Sequence, residues 1–112
     1  QDRVRIVNAA VSNSGRQLEL ALCPGCSAGW VKTLEKPNFA YQTLGMTSSV
    51  RLDDLVDEDV LVLKVDVEGY EHEVLQSSER LSAEHEVSVV LVEVKPDADP
   101  WMGWWISTMM NK

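Results

Sequence analysis

Three carboxylates fall within one short run, Asp66-Val67-Glu68-Gly69-Tyr70-Glu71, and a fourth candidate, Glu93, follows a later apolar stretch. Carboxylates grouped this closely can take up a proton as general bases, hold a cationic ligand, or coordinate a hard metal ion. Gly69 stands among them, where a tight turn or a close approach to the backbone needs a residue without Cβ. His72 is the nearest imidazole and a further candidate for proton transfer. Structural roles compete with these. Acidic residues in a first helical turn complement its free N–H groups and dipole, and Lys64 is a ready ion-pair partner. No D-x-D-x-D-G loop of the calcium type is present, and no metal site is expected. Cys23-Pro24-Gly25-Cys26 is the other chemical grouping. Its C-x-x-C spacing suits a thiol redox pair or half of a zinc site. A full zinc site would have to recruit His72 and His85 from far along the chain, so two reduced thiols in a turn is the expected state.

The elements that must position the carboxylates are clearest in the second half. Val60-Leu61-Val62-Leu63-Lys64-Val65 is a nearly continuous β-branched run of strand length. Such runs mark strands covered on both faces in parallel sheets. Residues 68–81 then shift to a helical period, with Tyr70, Val74, Ser77 or Ser78, and Leu81 on one face. Glu71, Glu73, Gln76, Glu79 and Arg80 fall mostly outside that face. Residues 87–94 form a second strand of buried type, ending near Glu93. Residues 60–94 therefore read as a parallel βαβ unit. Open sheets of this kind bind ligands at the carboxyl ends of their strands, which is where Asp66 and Glu93 fall.

The first half is less sharply patterned. Residues 3–11 and 17–22 read as strands around a Ser12-Asn13-Ser14-Gly15 turn, and 23–29 as a loop. Residues 30–34 read as a short strand, 35–45 as loop, 48–52 as a short strand, and Asp53-Asp54-Leu55 as an acidic turn. After Pro96 and Pro100, residues 101–110 have the spacing of an amphipathic helix rich in Trp and Met.

The chain of 112 residues is expected to be one domain, with an apolar share of 45% that supplies a modest core. Lys and Arg number 10 against 18 Asp and Glu, a formal charge of -8. That balance argues against nucleic-acid binding and against docking on an anionic membrane. No apolar run approaches the ~20 residues of a membrane-spanning helix. No targeting signal is visible at Gln1, so the cytoplasm is only the default compartment.

Several of these runs, taken together, resemble one family. Ser49-Val50-Arg51-Leu52-Asp53-Asp54-Leu55, Leu63-Lys64-Val65-Asp66-Val67-Glu68-Gly69-Tyr70-Glu71, Val74-Leu75 and Val90-Leu91-Val92-Glu93-Val94 are similar, in order and spacing, to the FkbM family of S-adenosylmethionine-dependent methyltransferases. Val7-Asn8-Ala9-Ala10-Val11-Ser12 with Gly15 looks like that family's third strand and turn. The resemblance implies an α/β, Rossmann-like class I methyltransferase fold. It implies S-adenosylmethionine as cofactor and methyl transfer to a hydroxyl oxygen of a small molecule or sugar. Asp66, Glu68, Glu71 and Glu93 are then the catalytic candidates, and Asn8, Ala9, Ala10 and Asp66 the cofactor-binding ones. A carboxylate or His72 would act as base, and Tyr70 is a candidate for a cation–π contact with the sulfonium, against a commoner role in the core.

A full domain of this type opens with a strand and a glycine-rich turn, and no G-x-G occurs in this sequence. The fold is accordingly expected to be incomplete, from its third strand onward, and the chain to be part of a longer protein. Alone, it is expected to bind the cofactor poorly or not at all. The competing expectation is a non-catalytic interaction module or a degenerate relative, with self-association through Trp101, Trp104, Trp105, Met102, Met109 and Met110. A thiol redox module on Cys23 and Cys26 is the third and weakest reading, since that pair does not sit at a strand-to-helix junction.

Overall fold

β-branched and alternating residues set the strands, and short segments between them form the helices. The computed structural model describes residues 3–22, 31–34, 41–67, 69–93 and 107. In chain order these form β1 (Ala10–Val11), β2 (Gln17–Leu22), β3 (Val31–Leu34), β4 (Gln42–Val50), α1 (Leu52–Leu55), β5 (Val60–Val65), α2 (Glu71–Gln76), α3 (Glu79–Glu84) and β6 (Val87–Val92). Cys23, Cys26, Glu68 and the Trp/Met-rich stretch apart from Ser107 lie outside the described residues.

The strands make two sheets, one ordered β1-β4-β2-β3 and one made of β5 and β6. β5 and β6 run parallel, with Val60 beside Val87 and Val65 beside Val92. The strand–helix–strand unit expected at residues 60–94 is therefore present. β1 also runs parallel to β4, pairing Ala10 with Ser49, while β2 lies antiparallel to β3 and β4. The β2–β4 register slips by one, because Leu20 faces Gly45 but Ala21 faces Thr43. Gly45 takes a φ of +147° at this bulge, a conformation open to glycine. The two sheets meet in a core of Val65, Val74 and Leu75, against which Val11, Leu52, Leu63, Val67, Val90 and Val92 pack. No described helix is long and apolar enough to cross a membrane.

Several elements differ from the expectations above. Residues 3–9 are not strand, and β1 is confined to Ala10–Val11, the two residues that find a partner in β4. β4 reaches back to Gln42, through residues expected to be loop, because β2 offers it a full antiparallel partner. Leu52 belongs to α1 and not to a strand, and the acidic turn at residues 53–55 is one turn of helix.

The helix expected over residues 68–81 begins at Glu71 and breaks at Ser77-Ser78 into α2 and α3. The hydroxyls explain the break. Ser77 Oγ donates to the Val74 carbonyl at 2.5 Å and Ser78 Oγ to the Leu75 carbonyl at 2.7 Å, tying up local acceptors. From outside, the buried Asp53 carboxylate accepts the N–H groups of Arg80 (3.0 Å) and Leu81 (2.8 Å). It thus caps α3 in place of a residue of α3's own N-terminus. The Asp53 N–H donates to the Ser77 carbonyl at 2.9 Å, and the Leu52 N–H to Ser77 Oγ at 3.1 Å, so α1 docks on the break.

The apolar runs of β5 and β6 are not covered on both faces as expected. Leu61 is 76% exposed, and Val62, Val89 and Leu91 are exposed as well. Leu63, Val65, Val90 and Val92 pack toward the core, whereas Val62, Val89 and Leu91 alternate onto the opposite face, and Leu61 is left exposed although it shares the core face.

Candidate active site

The β5–β6 pairing fixes where two of the carboxylates stand. Val65 lies beside Val92, so the residues that follow, Asp66 and Glu93, leave the sheet together at its carboxyl edge. Both are exposed. Lys64, on β5, forms no ion pair among the described residues and is itself exposed.

Beyond Asp66 the chain turns into α2 at Gly69, whose φ of +100° is one that L side chains rarely adopt. The Gly69 N–H donates to Glu71 Oε2 at 2.9 Å, folding the carboxylate back over the turn. Glu71 is only 6% exposed, and its other oxygen, Oε1, is buried with no hydrogen-bond partner among the described residues. A buried acceptor left unmet costs about 1–3 kcal/mol, and such groups are rare enough to require a cause. The hydroxyl or ammonium of a ligand would satisfy it. Sequence periodicity put Glu71 and Glu73 mostly outside the buried face, yet both are buried, each by a polar partner that the period does not encode.

For Glu73 the partner is Arg16, from the turn between β1 and β2. Arg16 Nη2 donates to Glu73 Oε1 and Oε2 at 3.1 and 2.9 Å and to the Tyr70 hydroxyl oxygen at 2.8 Å. The Tyr70 hydrogen bond, opposed by partial desolvation and supported by Glu73, holds the Arg16 guanidinium above its usual pKa. The Asn13 N–H adds a bond to Glu73 Oε2 at 3.2 Å, and Asn13 Nδ2 donates to Gln76 Oε1 at 2.9 Å. Arg51 joins the same knot through Asn13, Gln76 and Asp53. The first turn of α2, which carries Glu71, is thus clamped to the four-stranded sheet. Tyr70 spends its hydroxyl on that clamp, while its ring stands 6.5 Å from that of the half-buried His72.

The cofactor-binding candidates Asn8, Ala9 and Ala10 are not brought to the carboxyl edge by strand pairing. Ala10 pairs with β4, so this stretch enters a different sheet from Asp66 and Glu93, and Asn8 is exposed. Nothing in the local pattern marks Arg16 or Asn13, because their partners on α2 lie more than fifty positions away. Asp53 stands in the Ser49–Leu55 run that carries the resemblance, and the structure places its carboxylate under the N-terminus of α3.

Comparison with curated proteins and with solved structures finds no match for the chain. The methyltransferase FkbM domain does match, over residues 46–105, more than half of the chain. That span holds the bulk of β4's second half, α1, the whole β5–α2–α3–β6 unit and the carboxyl edge with Asp66, Glu71 and Glu93. The mixed α/β architecture with its parallel strand pairs agrees with the Rossmann-like fold that the family implies. The chain belongs to the FkbM methyltransferase family.

Proposed function

We propose that the carboxyl edge of β5 and β6 forms part of the site of an S-adenosylmethionine-dependent O-methyltransferase, acting on a hydroxyl of a small molecule or sugar, within a longer chain. The observation that carries this reading is Glu71 Oε1, a buried carboxylate oxygen with no partner among the described residues, set one turn beyond that edge. The donor set suits a cationic cofactor. Asp66 and Glu93 supply an acidic rim that favours a sulfonium and an ammonium electrostatically, and the orphaned Glu71 oxygen supplies an acceptor for a hydroxyl. The cofactor, when bound, supplies an electrophilic methyl group.

The chain's own residues then have distinct tasks. Glu71 Oε1 would accept the hydrogen bond of the substrate hydroxyl and take its proton as the oxygen gains the methyl group and the methyl–sulfur bond breaks, the neutral thioether being the leaving group. Gly69, by holding Oε2, fixes where Oε1 points. The Arg16–Glu73–Tyr70 clamp keeps that geometry from loosening, and alignment of this kind supplies several kcal/mol of a transfer barrier. Glu68, in the same run, is proposed as a further catalytic residue close to Asp66 in sequence.

The test is product analysis by mass spectrometry, with the complete protein, S-adenosylmethionine and a panel of sugars and small alcohols. Formation of a methyl ether is expected, with kcat falling by about 10²–10⁴ in Glu71→Gln. Equal turnover by Glu71→Gln would remove Glu71 from the chemistry. A second reading, a non-catalytic interaction module, is favoured by the open apolar face of Val62, Val89 and Leu91. Concentration-dependent self-association of the complete protein, without methyl transfer to any acceptor, would support it.

A further inference from the structure

The opposite, amino edge of the β5–β6 sheet gathers a second set of chemical groups. Asp57 and Asp59 lie just before Val60, and Glu84, His85 and Glu86 lie at the end of α3 and just before Val87. The Val60 N–H donates to the Glu86 carbonyl at 2.8 Å, which brings the two segments together. His85 Nε2 stands 3.0 Å from Asp57 Oδ1, and its Nδ1 faces Asp59 Oδ1 at 3.6 Å. Asp59 Oδ1 is held in turn by the Glu86 N–H at 2.9 Å. One ligand atom from each of Asp57, Glu84 and His85 lies within 4.8 Å of the others.

Carboxylates outnumber basic side chains in this corner. Glu84 is the last residue of α3, which has no basic residue in its last turn, and a carboxylate at a helix C-terminus meets the negative end of the dipole. Asp57, Glu58, Asp59 and Glu86 add to it, while Arg80 acts on Asp57 from within α3. The imidazole sets this corner apart from an ordinary acidic surface. One ring nitrogen faces a candidate ligand carboxylate, and the other faces a carboxylate that is itself anchored to backbone. That is the arrangement by which outer carboxylates orient histidine ligands on metals.

We propose that Asp57, Glu84 and His85 form a divalent-cation site, with Asp59 orienting the imidazole. One nitrogen and two carboxylate ligands suit zinc better than magnesium or calcium, which favour all-oxygen shells. Ligand atoms at about 2 Å from a tetrahedral ion lie roughly 3.4 Å apart. The exposed side chains of Asp57 and Glu84 would have to rotate to reach that spacing from their present separation of up to 4.8 Å, and water would complete the fourth position. The ion would tie the end of α3 to the segment entering β5, at the pole of the sheet away from the methyl-transfer edge. This site departs from the expectation of no metal, because its members come from two segments that only the fold joins.

The test is calorimetric titration of the 112-residue chain with zinc chloride. Cys23 and Cys26 are replaced by serine, so that thiolates do not take the ion. One saturable ion per chain is expected. Asp57→Asn, Glu84→Gln and His85→Gln should each weaken binding by about tenfold or more, and Asp59→Asn by about tenfold, the size typical of an outer-shell loss. Asp54→Asn, exposed and outside the cluster, should leave it unchanged. X-ray absorption at the zinc edge should show nitrogen and oxygen neighbours with imidazole scattering. Absence of saturable uptake by the cysteine-free chain overturns the proposal. So does uptake that survives in Asp57→Asn and His85→Gln.

Discussion

Asp53 offers a sharp test of how the βαβ unit is held together, because one buried carboxylate caps a helix to which it does not belong. Its two oxygens accept the N–H groups of Arg80 and Leu81 at 3.0 and 2.8 Å, and Arg51 Nη2 approaches Oδ2 at 3.3 Å. In Asp53→Ala both N–H groups lose their acceptor. Loss of a helix cap costs about 0.5–2 kcal/mol, and an unmet buried donor about 1–3 kcal/mol. The Arg51 pair is partly solvated on the arginine side and adds little. The sum is about 1.5–5 kcal/mol, a large part of a small domain's stability. At about 4 °C per kcal/mol, the melting temperature should fall by roughly 6–20 °C. Asp53→Asn keeps one acceptor oxygen and should lose about half as much. Urea unfolding followed by circular dichroism measures both. A loss below about 0.5 kcal/mol in Asp53→Ala, the range of an ordinary surface change, would refute the capping role. Unaltered stability with lost activity would move Asp53 from the scaffold to the site.

Three further outcomes follow from the same geometry. Gly69→Ala places a Cβ at a φ of +100° and should lower stability by about 1–2 kcal/mol in urea unfolding; an unchanged midpoint would show that the turn adapts without strain. Arg16→Met leaves the buried Glu73 carboxylate without its ion pair and should cost about 1–3 kcal/mol, with part of the loss recovered in Arg16→Met/Glu73→Gln; additive losses in this cycle would show that the pair is not coupled. Asp57 is held below the usual carboxylate range, first by its hydrogen bond with His85 and then by Arg80. Its stabilising effect is therefore complete above the unfolded value near about pH 4 and lost as pH falls through the lower folded value. Asp57→Asn should flatten the acid limb of the stability–pH profile, and an acid limb identical to the parent's would contradict this.

The sequence was most legible where one physical signal ran for a whole element. The β-branched runs at Val60 and Val87 marked two strands, and their parallel pairing followed from the helical period between them. Legibility failed where a distant partner decided the outcome. Periodicity extended one helix through Ser77 and Ser78, but the serine hydroxyls and the Asp53 carboxylate divide it there. β4 gained its first residues from pairing with β2, a long-range effect absent from local composition. Within the candidate site, strand ends correctly brought Asp66 and Glu93 to one edge. The burial of Glu71 was not legible, because it depends on a bond to Gly69 inside a turn whose conformation is set by the fold.

The placement of the cofactor edge is tested most directly by equilibrium dialysis of labelled S-adenosylmethionine against the complete protein. Saturable binding is predicted, weakened by about tenfold, or roughly 1.4 kcal/mol, in Asp66→Asn and unchanged in Asp54→Asn. Failure of the complete protein to bind, or binding by Asp66→Asn as tight as the parent's, would contradict the assignment of that edge to methyl transfer.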